Sequence, residues 1–340
     1  MVNPDGPSPP KRHHYLPKSY QRAWCDASGQ VAVRRRTSAQ IYLPTPENVG
    51  VETHLYGKGA QAVWRERNFW LLEDRWPVLR TELTRAGNLT GRDRETAAMF
   101  IALQIARTRE HLASTTFIPE LANFTSERPL QHEAVRQFIR KRLGYDPEEV
   151  EVEAAWSLAV PQIAHDDLPT VDDAFSISMD IATRKLAPLI QDLHWRVETT
   201  DAPILWTSDR PVMPWRPPSP RDRFEGVGYG DADEIRMPLS PTAMLLLQRN
   251  FTSSPKHVPT SRFHHYNEDI ARQCYELILC SPGRRRRLER TTLAPHRAAI
   301  RFHIGPGTEV MADGTEVPMN DIIHTWIPIR DQPELSTRDV

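Results

Sequence analysis

Two adjacent histidines and a tyrosine, His13-His14-Tyr15, stand in the run RHHYLPKSYQRAW, just after a proline-rich start. Imidazole changes charge near neutral pH and ligates metals, so the pair is a candidate general base or metal-ligand set. Neighbours in an extended chain point to opposite faces, so the two rings are not expected to chelate one ion together. Hydrogen-bonding anchors for the N-terminal segment are the structural alternative. Gln104 and Arg107 lie three apart in the almost wholly apolar stretch RETAAMFIALQIARTREHL, with His111 one turn further on. That spacing puts them on one helix face. Burying them is costly unless each finds partners. They suit either a polar floor under an anionic group, which Arg matches bidentately, or a brace between helices.

Glu73, in NFWLLEDRW, sits beside the apolar stripe of its own helix. Either Arg107 partners it or its pKa rises. The run WTSDRPV places Thr207, Ser208 and Asp209 at the end of a predicted strand. Asp209 there can bind a metal or orient a histidine, or it can build an Asx-type turn before Pro211. Ser208 is outside any G-x-S-x-G elbow, so it is not read as a nucleophile. The chain carries no P-loop, H-E-x-x-H, G-x-G-x-x-G or C-x-x-C motif, which disfavours P-loop nucleotide hydrolysis and a zinc knuckle.

The elements that must position these residues follow from pattern. A short helix is predicted over 17–24, then a strand at Val31 and Val33 that can pair with one near AQIYLPT. Leu72, Trp76, Leu79 and Leu83 keep helical spacing, interrupted by Pro77. Further helices are expected at about 95–111, 130–143 and 174–192, with an acidic, partly helical surface segment before the last. After residue 192 strands dominate. LHWRVETTDAPILWTSDRPV reads as two strands and EIRMPLSPTAMLLLQRN as two more, with a Pro/Gly-rich mobile loop over 215–233 between them. YNEDIARQCYELILCSPG reads as a helix capped by Asn267.

Of the 340 residues, 39% are hydrophobic and 26% charged, enough for a core and too apolar for a disordered chain. The net charge of −1 gives no overall attraction to nucleic acid or membrane. Locally, seven Arg face one Glu over 281–301 and ten acids with no Lys or Arg fill 146–183. Three cysteines make no disulfide framework, no apolar leader is seen, and no apolar run approaches a membrane span. A cytoplasmic protein is expected.

Taken in order, RHHYLPKSYQRAW, NVG, LLE, ALQIARTR, WTSDRPV, MPLSP and YNEDIAR resemble the bacterial family catalogued as domain of unknown function 4238, over residues 11 to about 282. The resemblance singles out His13, His14, Tyr15, Glu73, Gln104, Arg107, Ser208, Asp209 and Asn267. Lys18 and Gln21 stand where that family usually has Gln and an aliphatic residue. The resemblance implies no activity.

The expectation is an α+β protein, its helical middle packed on a mostly antiparallel sheet from the N-terminal and 194–250 strands. Residues 1–10 should be disordered, 11–282 a single main domain, and 283–340 an extension with some strand. Whether the chain is an enzyme stays open. The best-fitting function is a hydrolase acting on a phosphodiester or nucleic acid, with a divalent metal as a possible cofactor. His13, His14, Glu73 and Asp209 are its catalytic candidates. Tyr15, Gln104, Arg107, Ser208 and Asn267 are its substrate-binding candidates. The Arg-rich segments, including Arg284–Arg287, suit a nucleic acid or nucleotide. The alternative is a non-catalytic nucleotide- or protein-binding module of a toxin or phage-defence system.

Overall fold

The computed structural model describes residues 12–55, 60–143, 146–164, 171–217, 227–230, 232–250, 256–291, 293, 299–310 and 315–327. The disorder expected for 1–10 lies outside them, as does the centre of the 215–233 loop. The C-terminal end of that loop is packed: Tyr229 donates to the Val212 carbonyl at 3.0 Å, and Ala232 is buried.

The fold is α+β with antiparallel sheets, and the chain gathers into two compact units. The first comprises 1–112, 176–217 and 227–296, the second 113–175, 218–226 and 297–340.

In the first unit, β1 (Arg12–His14) pairs antiparallel with β4 (Val51–Thr53), setting His13 opposite Glu52 and His14 opposite Val51. Between them run α1 (Lys18–Gln21), a 3₁₀ turn (Arg22–Trp24), β2 (Ala32–Arg35) and β3 (Ile41–Tyr42). Two helices follow, α2 (Ala60–Ala86) and α3 (Gly91–Ala106). Alanine, phenylalanine, leucine and isoleucine fill every side of α3 from Ala97 on, and all but Met99 of Ala97–Ala106 are buried. A helix apolar all round can only be a core helix. Trp76 of α2 stacks on Phe100 of α3 at 4.0 Å between ring centroids.

Two four-stranded sheets complete this unit. One has the order β3-β2-β10-β6, with β6 at Thr207–Ser208 and β10 at Leu277–Cys280. The other has the order β5-β9-β8-β7, from β5 (His194–Thr199), β7 (Met213–Trp215), β8 (Glu234–Ser240) and β9 (Ala243–Gln248). Their shared core includes Leu205, Trp206, Met244, Phe263 and Ile278. The helix Thr260–Gln273 runs through that core. Asn267 therefore lies inside this helix rather than at its N-cap. The helix starts eight residues earlier than an Asn267 cap would place it, and Glu276–Cys280 is not its continuation but the approach to β10 and that strand itself.

In the second unit, α4 (Arg109–Ser126, entering from the first unit), α5 (Gln131–Leu143) and α6 (Glu149–Ala164) enclose Phe117, Leu121, Val135, Phe138, Val152, Ala155 and Ala159. The acidic stretch expected at the surface thus contributes a core helix, its Val and Ala side chains turned in. A hairpin of β11 (Ala299–Val310) and β12 (Glu316–Ile327) packs beside α6. The chain returns to the first unit within α7 (Val171–Ile181), and a π-turn (Ala182–Leu186) and α8 (Ala187–Asp192) follow there.

Candidate functional site

The His-His-Tyr strand is held from behind by backbone. The Tyr15 and Leu16 amides both donate to the Gly50 carbonyl, at 2.9 and 3.2 Å. Gly50 adopts φ +62°, and a Cβ there would meet the Leu16 Cβ at 2.5 Å, so only glycine fits. From α1, the Gln21 amide donates to the carbonyls of Leu16 and Val49 at 2.7 and 2.9 Å. Tyr20 and Trp24 anchor the same segment to the sheets, Tyr20 through Thr207 and the Pro238 carbonyl, Trp24 through the Leu205 carbonyl. Gln21, a departure from the resembling family's usual residue, thus braces the motif.

Strand alternation divides the motif between two polar groups. His14 is partly open, whereas His13 and Tyr15 are buried. Around His14 gather Lys18, Glu73 and Arg107, all within electrostatic reach of the ring. Burial first, then Lys18, lowers the pKa of His14; Glu73 and a hydrogen bond to the Pro46 carbonyl oppose this. Arg107, 1% exposed, pairs with Glu73 at 2.6 Å and lies 5.2 Å from the Phe69 ring centroid. The pair expected from the sequence is therefore present. Glu66, two turns before Glu73 on α2, joins the group. Burial, then the Glu73 charge, raises its pKa, against Arg107 and Lys18. Gln104, 1% exposed, shares the Arg107 side of α3, and among the described residues its amide has no hydrogen-bond partner.

Tyr15 belongs to the second group. Burial, then the nearby Asp209, raises its phenol pKa. The Arg109 guanidinium lies 6.0 Å from its ring centroid and pairs with Glu52 at 2.9 Å and with Glu276. Asp209, 2% exposed, accepts from the amides of Tyr275, Glu276 and Leu277 at 2.9, 2.7 and 3.1 Å. Burial pushes its pKa up to about 6 against those three donors. The next residue, Arg210, pairs with buried Glu110 at 3.0 Å. Burial, then that same Arg210, pushes His111 down to about 4.

The remaining candidates sit at joints of the fold. Ser208 Oγ donates to the Arg210 carbonyl at 3.0 Å and receives the Arg210 amide at 3.2 Å, a turn closed on itself. Asn267 receives the Trp206 amide at 2.8 Å and donates to the Ile204 carbonyl at 2.9 Å, splinting the chain before β6. The structure thus brings His14, Glu73 and Arg107 together, and sets Tyr15 with Asp209 in a separate group. The sequence reading missed Lys18, Glu66, Arg109, Glu110, Arg210 and Glu276. The seven-residue spacing of Glu66 and Glu73, which puts both on one side of α2, was the available signal for one of them. Among the described residues, no cluster of three or more His, Cys, Asp or Glu is arranged to hold a metal ion.

Fold and site together define an α+β protein with a histidine–carboxylate–guanidinium group at the meeting of its N-terminal strand and two long helices. The model of the family described as "Protein of unknown function (DUF4238)" matches residues 12–284, and the chain belongs to that family. No curated protein and no solved structure matches it significantly. Among the described residues no helix is long and apolar enough to cross a membrane.

Proposed function

We propose that the chain is a hydrolase acting on phosphodiester bonds, in nucleic acid or a nucleotide, from the group formed by His14, Glu66, Glu73, Gln104 and Arg107. One observation carries this reading. An imidazole and a carboxyl share one partly buried place with two cations, and their pKa values are shifted in opposite senses, His14 down and Glu66 up. A neutral imidazole at neutral pH takes a proton from attacking water, and a carboxyl with a raised pKa gives one to the leaving oxygen. Glu73 orients Arg107, whose guanidinium charge, with Lys18 and the Gln104 amide, suits the charge that grows on a phosphoryl oxygen. The exposed Arg284–Arg287 run supplies sequence-independent attraction for a phosphate backbone. Cys25, Cys274 and Cys280 are all free thiols, which fits a reducing cytoplasm.

A second reading is a non-catalytic nucleotide-binding module. It is favoured by the engagement of both Glu73 and Asp209 in the folded chain, one by Arg107 and one by three backbone amides. The test is hydrolysis of a chromogenic phosphodiester and of labelled oligonucleotides, with chelator and with added divalent cations, beside calorimetric nucleotide binding. Turnover that His14→Ala abolishes supports the hydrolase. Binding that depends on Gln104 and Lys18 without turnover supports the module.

A further inference from the structure

The outward face of α2 carries a second apolar stripe. Val63, Trp70, Leu71 and Val78 are 42%, 61%, 53% and 66% exposed, while Phe69, Trp76, Leu79 and Leu83 of the same helix are buried against the protein's own core. At about 100° per residue, Val63, Arg67, Trp70, Leu71, Asp74 and Val78 all fall within about 50° of one line along the helix. A helix apolar on two faces needs a second covering surface, and exposed tryptophan is the residue type most enriched at interface hot spots.

The stripe reads the same from either end. Val63 stands seven residues before Trp70 and Val78 seven after Leu71; Arg67 stands three before Trp70 and Asp74 three after Leu71. A twofold axis between Trp70 and Leu71 would therefore gather Trp70 and Leu71 with their counterparts of a second copy around the axis, set Val63 beside Val78, and place Arg67 against Asp74, twice. Self-complementarity of this kind is what an isologous interface requires. The charges agree with it: Arg67 and Asp74 are both exposed, and neither has an ion-pair partner among the described residues.

We infer that the occupant of this face is a second copy of the same chain, docked through an antiparallel α2–α2 pair. Glu66 and Glu73 lie about 100° around the helix from the stripe, so pairing leaves the His14 group open at the side. The inference is independent of the proposed hydrolysis.

Sedimentation velocity on the full chain over a wide concentration range tests it, with circular dichroism to check folding. The wild type is expected to pass from monomer to dimer. Leu71→Glu, a change at an exposed position, is expected to keep the wild-type spectrum and weaken dimerisation more than about tenfold, since it faces two carboxylates across the axis. Arg67→Asp is expected to weaken it as well, and adding Asp74→Arg to restore it by exchanging the charges. A wild type that stays monomeric at every concentration overturns the inference. A dimer indifferent to both Leu71→Glu and Arg67→Asp places the interface elsewhere and overturns it too. Failure of the charge exchange to restore what the single reversal lost overturns the antiparallel register.

Discussion

Removing Glu73 takes the carboxylate away from a guanidinium that is almost wholly shielded from water. The Arg107 side chain is 1% exposed and that of Glu73 20%. Two unit charges about 4 Å apart at an effective dielectric near 20 attract by about 4 kcal/mol. Deleting one partner of such a buried pair costs about 3–5 kcal/mol, because the other charge stays desolvated. Glu73→Ala should approach that figure. Arg107→Met should cost less, about 1–3 kcal/mol, because Glu73 keeps some contact with water and Met keeps most of the apolar stem against Phe69. The asymmetry is the sharper expectation, since the residue on the more open side is the more damaging one to delete. The double variant should be more stable than the sum of the singles implies, by about 2 kcal/mol. Urea unfolding of the four proteins, followed by far-ultraviolet circular dichroism, gives all of these values. A Glu73→Ala cost below about 1 kcal/mol, typical of an exposed pair, would refute the reasoning. So would strict additivity.

Asp209→Asn replaces one acceptor oxygen by an NH₂ facing backbone donors, so a loss of about 2–4 kcal/mol is expected from the same unfolding assay. A neutral result would show that the three amide contacts do not matter. Gly50→Ala introduces a Cβ against Leu16 at a backbone angle of φ +62° and should destabilise by about 2–4 kcal/mol, loosening Tyr15 amide protection in hydrogen exchange. Unchanged exchange at Tyr15 and Leu16 would contradict that. For pH, His111 is pushed down to about 4 from an ordinary value near 6.5, so the fold prefers it neutral. Its contribution is complete above about pH 6.5 and is lost as pH falls toward 4, on the order of 3 kcal/mol in all. His111→Gln should flatten the acid limb of a stability–pH profile, and an identical limb would rule the histidine out as its source.

How much of this was legible depended on whether a residue's need could be met only one way. Arg107 and Glu73 each sit on an apolar helix, so their pairing followed from the cost of leaving either alone. The β8–β9 hairpin was visible because MPLSPTAMLLL has turn chemistry between two apolar runs. Asn267 misled because an Asn before two acids reads as a helix cap, whereas here it bonds a loop 60 or so residues earlier in the chain. The acidic 146–164 stretch misled because its glutamates mask the helical spacing of Val152, Ala155 and Ala159. Glu66, Arg109 and Arg210 were missed for one reason: each looks like an ordinary surface charge until residues distant in sequence close over it. Strand alternation, by contrast, correctly separated His14 from His13 and Tyr15.

The central claim is that His14 works with Glu66, Glu73 and Arg107 as one site for an anionic phosphodiester group. The most direct test is histidine-selective NMR of the His14 ring during titration with a non-hydrolysable dinucleotide analogue, on wild type and on Gln104→Ala. The account predicts a saturable shift at His14 in the wild type, weakened about tenfold or more by the Gln104 substitution. A His14 signal that ignores the analogue at every concentration, while the protein remains folded, would contradict it.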